Sequence, residues 1–194
     1  MLGVVLCGGQ SSRMGSDKGL LKLEAKTWAQ TAIDKIAQLT IPVKISVNKK
    51  QYPAYAEVFA PQTLIEDDES LPLRGPLLGV LSSHLRFPAE DLFIVACDMP
   101  LMEPFLLKKL FDQYQANLAS DACIFTNKNE PEPLCGIYTS NALSGILNML
   151  LAGKLEKYSM KFMLDHLAVN KISLPAEDEK YFRNFNAHAE LNGL

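Results

Sequence analysis

Long apolar runs are absent from this chain of 194 residues. No stretch approaches the roughly 18 consecutive apolar residues that a membrane-spanning helix needs. Neither sign of charge dominates, since 19 Lys and Arg stand against 22 Asp and Glu and leave a formal net charge of −3. A general nucleic-acid binder would carry a basic excess, so that class is set aside, while a local basic patch around a phosphate is still allowed. Cysteine is sparse: Cys7, Cys97, Cys123 and Cys135 lie far apart and offer neither a disulfide framework nor a metal-type spacing. They read as reduced thiols on strands. Histidine is rarer still, and His84, His166 and His188 share no spacing that suggests a site. There is no internal repeat, low-complexity tract or convincing linker. The apolar start, Met1 to Cys7, has no basic segment before it and is too short for a secretory signal. With the thiols, this predicts the cytoplasm.

What is present is ordinary globular material, with 48% apolar and 21% charged residues. A chain of this length is expected to form one domain that buries about two-thirds of its unfolded surface. Short apolar runs predict strands at Leu2–Cys7, Val43–Val47, Leu64–Ile65, Leu92–Ala96, Ala122–Thr126, Cys135–Tyr138 and Lys171–Leu174. Helical spacing covers Trp28–Leu39, Pro76 to about Leu85, Pro104–Tyr114, Asn141–Leu151 and Met160–Leu167. Met160, Met163 and Leu164 read as core. Tyr52–Pro61 and Asn127–Pro133 read as irregular surface loops. The alternation of strand and helix predicts an α/β three-layer sandwich on a mostly parallel sheet, with right-handed crossovers.

Ligands of open α/β sheets bind beyond the carboxyl ends of the strands, and there the first strand runs into Cys-Gly-Gly-Gln-Ser-Ser-Arg-Met-Gly-Ser-Asp-Lys, residues 7–18. Glycines let the backbone approach a ligand, successive amides cradle phosphate oxygens, and Arg13 and Lys18 add positive charge. The segment suits a polyphosphate. It is not a P-loop, because five residues separate Gly9 from Gly15 and Lys18 comes three later. It is not the dinucleotide fingerprint either, because its first glycines are adjacent and Asp34 falls inside the first helix.

The stretch closely resembles a third loop. Leu6, Gly8, Gly9, Ser11, Arg13, Met14, Gly15, Asp17 and Lys18 match the signature of nucleotidyltransferases with a Rossmann-like, glycosyltransferase-A-like fold, Cys7 standing for the usual Ala. Within them it most resembles the molybdenum cofactor guanylyltransferases. Four internal segments support this: Val47-Asn48, Leu64 to Asp67, Gly75-Pro76-Leu77-Leu78-Gly79 and Cys97-Asp98-Met99-Pro100. Asn184-Phe185-Asn186, followed by Glu190-Leu191, resembles a further family segment. The similarity is sharp over about the first 100 residues and thin from 101 to 180. Glu132 to Gly136 matches more loosely.

The resemblance implies a single nucleotidyltransferase domain over 1–194, with a nucleotide-binding half to about 100 and an acceptor-binding half from about 101. It implies nucleotide contacts from Leu6, Cys7, Gly8, Gly9, Lys18, Asn48, Asp67, Gly79 and Asp98. Lys18 would stabilise charge at the α-phosphate, Arg13 the leaving phosphates, and Asp98 would bind magnesium. Asn184 and Asn186 would lie near the acceptor. As a base reader Asp67 makes chemical sense, since a carboxylate accepts both the N1–H and N2–H₂ of guanine; Asp68 is the alternative. Each residue also has a plainer reading: Asp98 as a turn residue or helix cap, Asn48 as a cap, Asp67 as part of a solvated acidic loop, and Asn184 and Asn186 as turn residues. Lys154, Lys157 and Lys161 are either a solvated face or an attraction for an anionic acceptor.

The implied reaction moves GMP from Mg-GTP to the terminal phosphate of molybdopterin, in the cytoplasm and without nucleic acid or membrane. Molybdenum-insertion proteins and apo-molybdoenzymes or their chaperones would be the protein partners. A cytidylyl- or other small nucleotidyltransferase is the alternative within the class. A non-catalytic nucleotide-binding protein is the alternative outside it, and would be expected to lack Arg13, Lys18 or Asp98.

Overall fold

The computed structural model describes residues 1–8, 17–23 and 25–185. Its main sheet uses β1 (Leu2–Leu6), β4 (Val43–Val47), β5 (Leu64–Glu66), β6 (Leu92–Ala96), β7 (Ala122–Asn127), β8 (Glu130–Tyr138) and β9 (Val169–Ser173). A small hairpin pairs β2 (Lys22–Leu23) with β3 (Lys26–Thr27). The helices are α1 (Trp28–Ala37), α2 (Tyr52–Ala56), α3 (Pro76–Arg86), α4 (Pro104–Ala116), α5 (Ser140–Leu151) and α6 (Met160–Leu164).

The seven strands lie in the order β5-β4-β1-β6-β8-β7-β9. All of them run parallel except β8, which is antiparallel to both neighbours. The chain steps from β1 outward to β4 and β5, then returns to β6 on the other side of β1. That reversal of winding creates the crevice where ligands of such sheets bind.

β1 shows why the sheet lies inside. All five of its residues are buried, because helices cover both faces. Val5 and Cys7 face a core built with Ala29 and Ile36 of α1, Tyr55 of α2, and Leu106, Leu107 and Leu110 of α4. Leu2, Val4 and Leu6 face the opposite core, made with Leu77, Val80 and Leu81 of α3, Leu143 and Ile146 of α5, and Met160 and Met163 of α6. Each fully buried Val, Leu or Ile contributes about 1.5–3 kcal/mol against exposure. Side-chain caps start three of these helices: Thr27 Oγ1 accepts from Gln30 N and Thr139 Oγ1 from Ala142 N, both at 3.1 Å, and Ser159 Oγ from Phe162 N at 3.2 Å. His84 is buried between α3 and α5, with Nε2 3.0 Å from Ser144 Oγ.

Two segments depart from the sequence reading. Residues 52–61 are not an irregular surface loop. They contain α2, whose Tyr55 is fully buried and stacks on Phe59 with ring centroids 5.9 Å apart. A five-residue helix is too short to be stable by propensity, and packing supplies what the local sequence does not. Residues 127–133 are likewise regular. They form the tip of the β7–β8 hairpin, where Lys128 and Asn129 adopt positive φ. The Glu-Pro-Glu-Pro start of β8 hides a strand. Prolines fit there because that half pairs only with β7, before a register shift that brings Gly136 opposite Ile124 and Cys135 opposite Val95.

Candidate active site

The carboxyl ends of β5, β4, β1 and β6 lie side by side, and each delivers one expected residue: Asp67, Asn48, Gly8 and Asp98. Beside the first three of these opens a cleft of about 440 Å³, lined by Gly8, Asn48, Asp67, Arg74, Gly75 and Leu78. That size is typical of a small-molecule site, roughly 300–1,000 Å³.

Asp67 is buried, and its Oδ1 accepts from Ser46 Oγ at 2.9 Å. Its other oxygen, Oδ2, faces the position a Cβ would take on Gly8, 3.2 Å away. Gly79 closes the arrangement from α3. A Cβ there would stand 2.6 Å from Ser46 Oγ and 3.1 Å from Leu6 Cδ2, so only glycine lets the helix approach the Ser46–Asp67 pair. Asp68, the alternative base reader, turns away: its Oδ1 accepts from Ser70 N at 2.9 Å and its N–H donates to Ser82 Oγ at 2.8 Å. It lines an adjoining hollow of about 710 Å³, shared with Asp67 and Glu69, together with Ser70 and Arg86.

Burial pushes the Asp67 carboxyl above its ordinary value of 3.8, Glu66 adding to the shift and the Ser46 hydrogen bond opposing it. Folding therefore penalises the charged form relative to the unfolded chain. The stability this represents is complete below the ordinary value and lost as pH rises through the raised one. Asp67→Asn, which keeps the shape without the charge, is expected to melt higher than the parent at neutral pH. The gap should close as pH falls from about 7 to about 4, which thermal melting across that range would test.

Asn48 does serve as a cap. Its Oδ1 accepts from the N–H groups of Lys50 and Gln51, both at 3.0 Å, at the approach to α2. This fixes its side chain at the cleft wall with the amide nitrogen as its remaining hydrogen-bonding group.

Asp98 follows β6, as Cys7 and Gly8 follow β1, the neighbouring strand. Lys18 Nζ lies 3.6 Å from Asp98 Oδ2. Asp98 Oδ1 is buried and has no hydrogen-bond partner among the described residues. Burial raises this carboxyl, and Lys18 offsets part of the shift. The backbone carbonyl of Asp98 accepts from Phe185 N at 2.9 Å, which brings exposed Asn184 next to the end of β6. Phe185 is itself buried against Trp28. Gly9, Arg13 and Asn186, with Ser11, Met14, Gly15, Glu190 and Leu191, lie outside the described residues. The lysine cluster does not converge on the cleft: Lys161 pairs with Glu130 at 2.7 Å, and Lys157 sits over the Phe162 ring.

This geometry meets the known proteins on the same terms. Residues 3–168 match the family model described as a MobA-like NTP transferase domain. A probable molybdenum cofactor guanylyltransferase of Geobacillus sp. (strain WCH70) is 32% identical, over all of this chain and 97% of the relative. One from Flavobacterium johnsoniae is 27% identical, over 98% of this chain and 94% of the relative. The chain belongs to the MobA-like NTP transferases. The crystal structure of molybdopterin-guanine dinucleotide biosynthesis protein A from Archaeoglobus fulgidus superimposes with a TM-score of 0.78 at 22% identity, over the whole of this chain and 96% of that one, which shows the shared fold.

As a MobA-like NTP transferase the chain is a nucleotidyltransferase, and its described residues add groups that the motif reading passed over. Asp17 Oδ1 accepts from Gly19 N at 3.0 Å and from the Tyr55 hydroxyl at 2.7 Å, while Oδ2 accepts from Gln51 Nε2. Asp17 lies within the quoted signature, but Tyr55 falls in the stretch 52–61 that reads as an irregular loop, and Gln51 just before it. The spacing of Asn48, Gln51 and Tyr55, which fits one face of a helix, was the signal available. All four cysteines are free and buried. Among the described residues no helix is long and apolar enough to cross a membrane.

Proposed function

We propose that this chain transfers GMP from Mg-GTP to the terminal phosphate of molybdopterin, giving the guanine dinucleotide form and pyrophosphate. The names of its relatives supply the reaction. The observation that carries the base assignment is the Asp67 carboxylate, one oxygen held by Ser46 and the other at the Gly8 wall of the cleft. A carboxylate there accepts from the N1–H and N2–H₂ of guanine. Cytosine offers no such donor pair, which weighs against a cytidylyl transferase.

An oxygen of the acceptor phosphate attacks the α-phosphorus in line. The new P–O bond forms as the bond to the bridging oxygen breaks, and pyrophosphate leaves with that electron pair. The nucleophile is already an anion, so no general base is required. Catalysis is then positioning and charge stabilisation. Lys18 places its ammonium at the α-phosphate, Arg13 serves the leaving phosphates, and the Gly8 and Gly9 amides cradle them. Leu6 and Cys7 carry the strand end into the loop, and Gly79 keeps α3 close behind Asp67.

Asp98 would hold magnesium. Its buried Oδ1, without a hydrogen-bond partner among the described residues, is a hard oxygen donor suited to such an ion. Magnesium commonly takes one or two carboxylates and fills its shell with water and substrate phosphate, so no larger protein cage is needed. When bound it would neutralise phosphate charge. The part of the chain from about 101, with Asn184 and Asn186, would receive molybdopterin. The cytoplasm is the proposed setting, with molybdenum-insertion proteins and apo-molybdoenzymes or their chaperones as partners.

The test is calorimetric titration of GTP, CTP, ATP and UTP, each with and without magnesium. Selective, magnesium-dependent binding of GTP is the expected result. Preference for CTP would overturn the base assignment, and binding of none of the four would overturn the reading of the phosphate loop.

A further inference from the structure

Lys18 stands at the point where the glycine-rich loop returns to the body of the protein. A lysine has many rotamers, so its use at a phosphate depends on how firmly its backbone is held. The groups that hold it come from α2 and its approach. Lys18 opens a 3₁₀ turn, Lys18–Leu20, capped by Asp17. Both oxygens of Asp17 are occupied, Oδ1 by Gly19 N and the Tyr55 hydroxyl, Oδ2 by Gln51 Nε2. Gln51 Nε2 also donates to the Cys7 carbonyl at 2.9 Å, and Gln51 Oε1 accepts from Asn48 N at 3.1 Å.

This network admits only one orientation of the Gln51 amide. Flipped, its oxygen would face the Asp17 carboxylate and the Cys7 carbonyl, and its nitrogen the Asn48 N–H. Gln51 therefore bridges the two stems of the loop, Cys7 where it leaves and Asp17 where it returns, and ties both to the wall that carries Asn48. Tyr55 completes the fixture from below. It is fully buried, and a Cβ on Gly19 would fall 2.1 Å from its hydroxyl, so the 3₁₀ turn rests directly on the phenol. Burial raises the Tyr55 hydroxyl far above its ordinary value, so it stays protonated and keeps donating.

We propose that Asp17, Gln51 and Tyr55 are positioning residues: a clamp that closes the stem of the glycine-rich loop and sets Lys18 at the phosphates, coupled through Gln51 to the nucleotide cleft at Asn48. The assignment of Lys18 to the reacting phosphate rests on the guanylyl-transfer reading; the clamp geometry does not.

The informative variant is Gln51→Glu, nearly identical in shape, which sets an oxygen against Asp17 Oδ2 and the Cys7 carbonyl. With magnesium, GTP and molybdopterin, kcat for pyrophosphate release is expected to fall by about 30-fold or more, with KM for GTP changed by less than about threefold, as for loss of an interaction realised in the transition state. Asp17→Asn combined with Gln51→Glu restores a donor–acceptor pair, and should recover at least about fivefold of that kcat over Gln51→Glu alone, a coupling that independent damage does not give. Tyr55→Phe, which removes one donor and preserves packing, should lower kcat by about three- to tenfold and serves if Gln51→Glu fails to fold. Parent-like kcat in Gln51→Glu, or losses that add with no recovery in the double variant, would overturn the proposal.

Hydrogen exchange separates its failure from failure of the transfer reading. The segment 17–23 should exchange faster in Gln51→Glu than in the parent, whatever reaction the protein performs. If the parent releases no pyrophosphate, the transfer reading falls, and exchange alone decides: faster exchange upholds the clamp and unchanged exchange overturns it.

Discussion

Asp98→Ala is expected to lower turnover by about three orders of magnitude or more, the equivalent of roughly 4 kcal/mol in the barrier. The expectation follows from what its side chain does in the fold. A turn or capping aspartate satisfies backbone N–H groups, and losing one costs about 0.5–2 kcal/mol of stability. Asp98 Oδ1 has no hydrogen-bond partner among the described residues, and Lys18 lies 3.6 Å from the other oxygen. A buried carboxylate oxygen of this kind is costly unless a ligand occupies it. Steady-state pyrophosphate release, with magnesium-dependent GTP binding measured beside it, distinguishes the two roles. Loss of both turnover and the magnesium dependence is the expected pattern. Near-parental turnover would remove Asp98 from the reaction.

Asp67→Asn should change which nucleotide is used. The asparagine oxygen still accepts from Ser46, which leaves the new amide at Oδ2, where the parent offers an acceptor to the cleft. Donor then meets donor on the guanine edge. A polar site discriminates strongly because its own buried groups are left unpaired by the wrong ligand. We expect kcat/KM for GTP to fall by about 10²–10³, or about 3–4 kcal/mol. Inosine triphosphate, which lacks the exocyclic amine, offers a sharper comparison. The parent should prefer GTP over it by at least about tenfold, and the variant should lose that preference. Unchanged selectivity would show that another group reads the base. The same substitution is expected to raise the melting temperature at neutral pH, so a loss of selectivity in a more stable protein could not be blamed on unfolding.

Much of the site could be read along the chain because its residues sit in short contiguous motifs. Gly8, Asn48, Asp67 and Asp98 lie just beyond the ends of apolar runs, where a sheet places its ligands, while Lys18 ends the glycine-rich motif and Gly79 sits near the start of α3. The motif favours Asp67 over Asp68, and the fold gives the two different surroundings. In sequence they are adjacent acids; in the fold one bonds Ser46 beside Gly8 and the other makes a turn with Ser70. Asn48 illustrates two readings that are both physical, since its oxygen caps the approach to α2 while its position stays on the cleft wall. Gln51 and Tyr55 stayed hidden because the helix they cap and form is too short to announce itself by periodicity, and their shared partner Asp17 lies more than thirty residues away.

By itself the sequence determined the α/β class, the positions of most strands and helices, and the glycine-rich loop that marks the family. These depend on interactions within a few residues: apolar periodicity, helix starts at proline or threonine, and the backbone freedom of adjacent glycines. Only the tertiary structure decided the reversal of β8, the burial of Tyr55, the pairing of Ser46 with Asp67 and of Phe185 with the Asp98 carbonyl. Each joins segments far apart in the chain. Their partners are set by the winding of the sheet around β1 and by the need to satisfy buried polar groups, and no local window of sequence contains either condition.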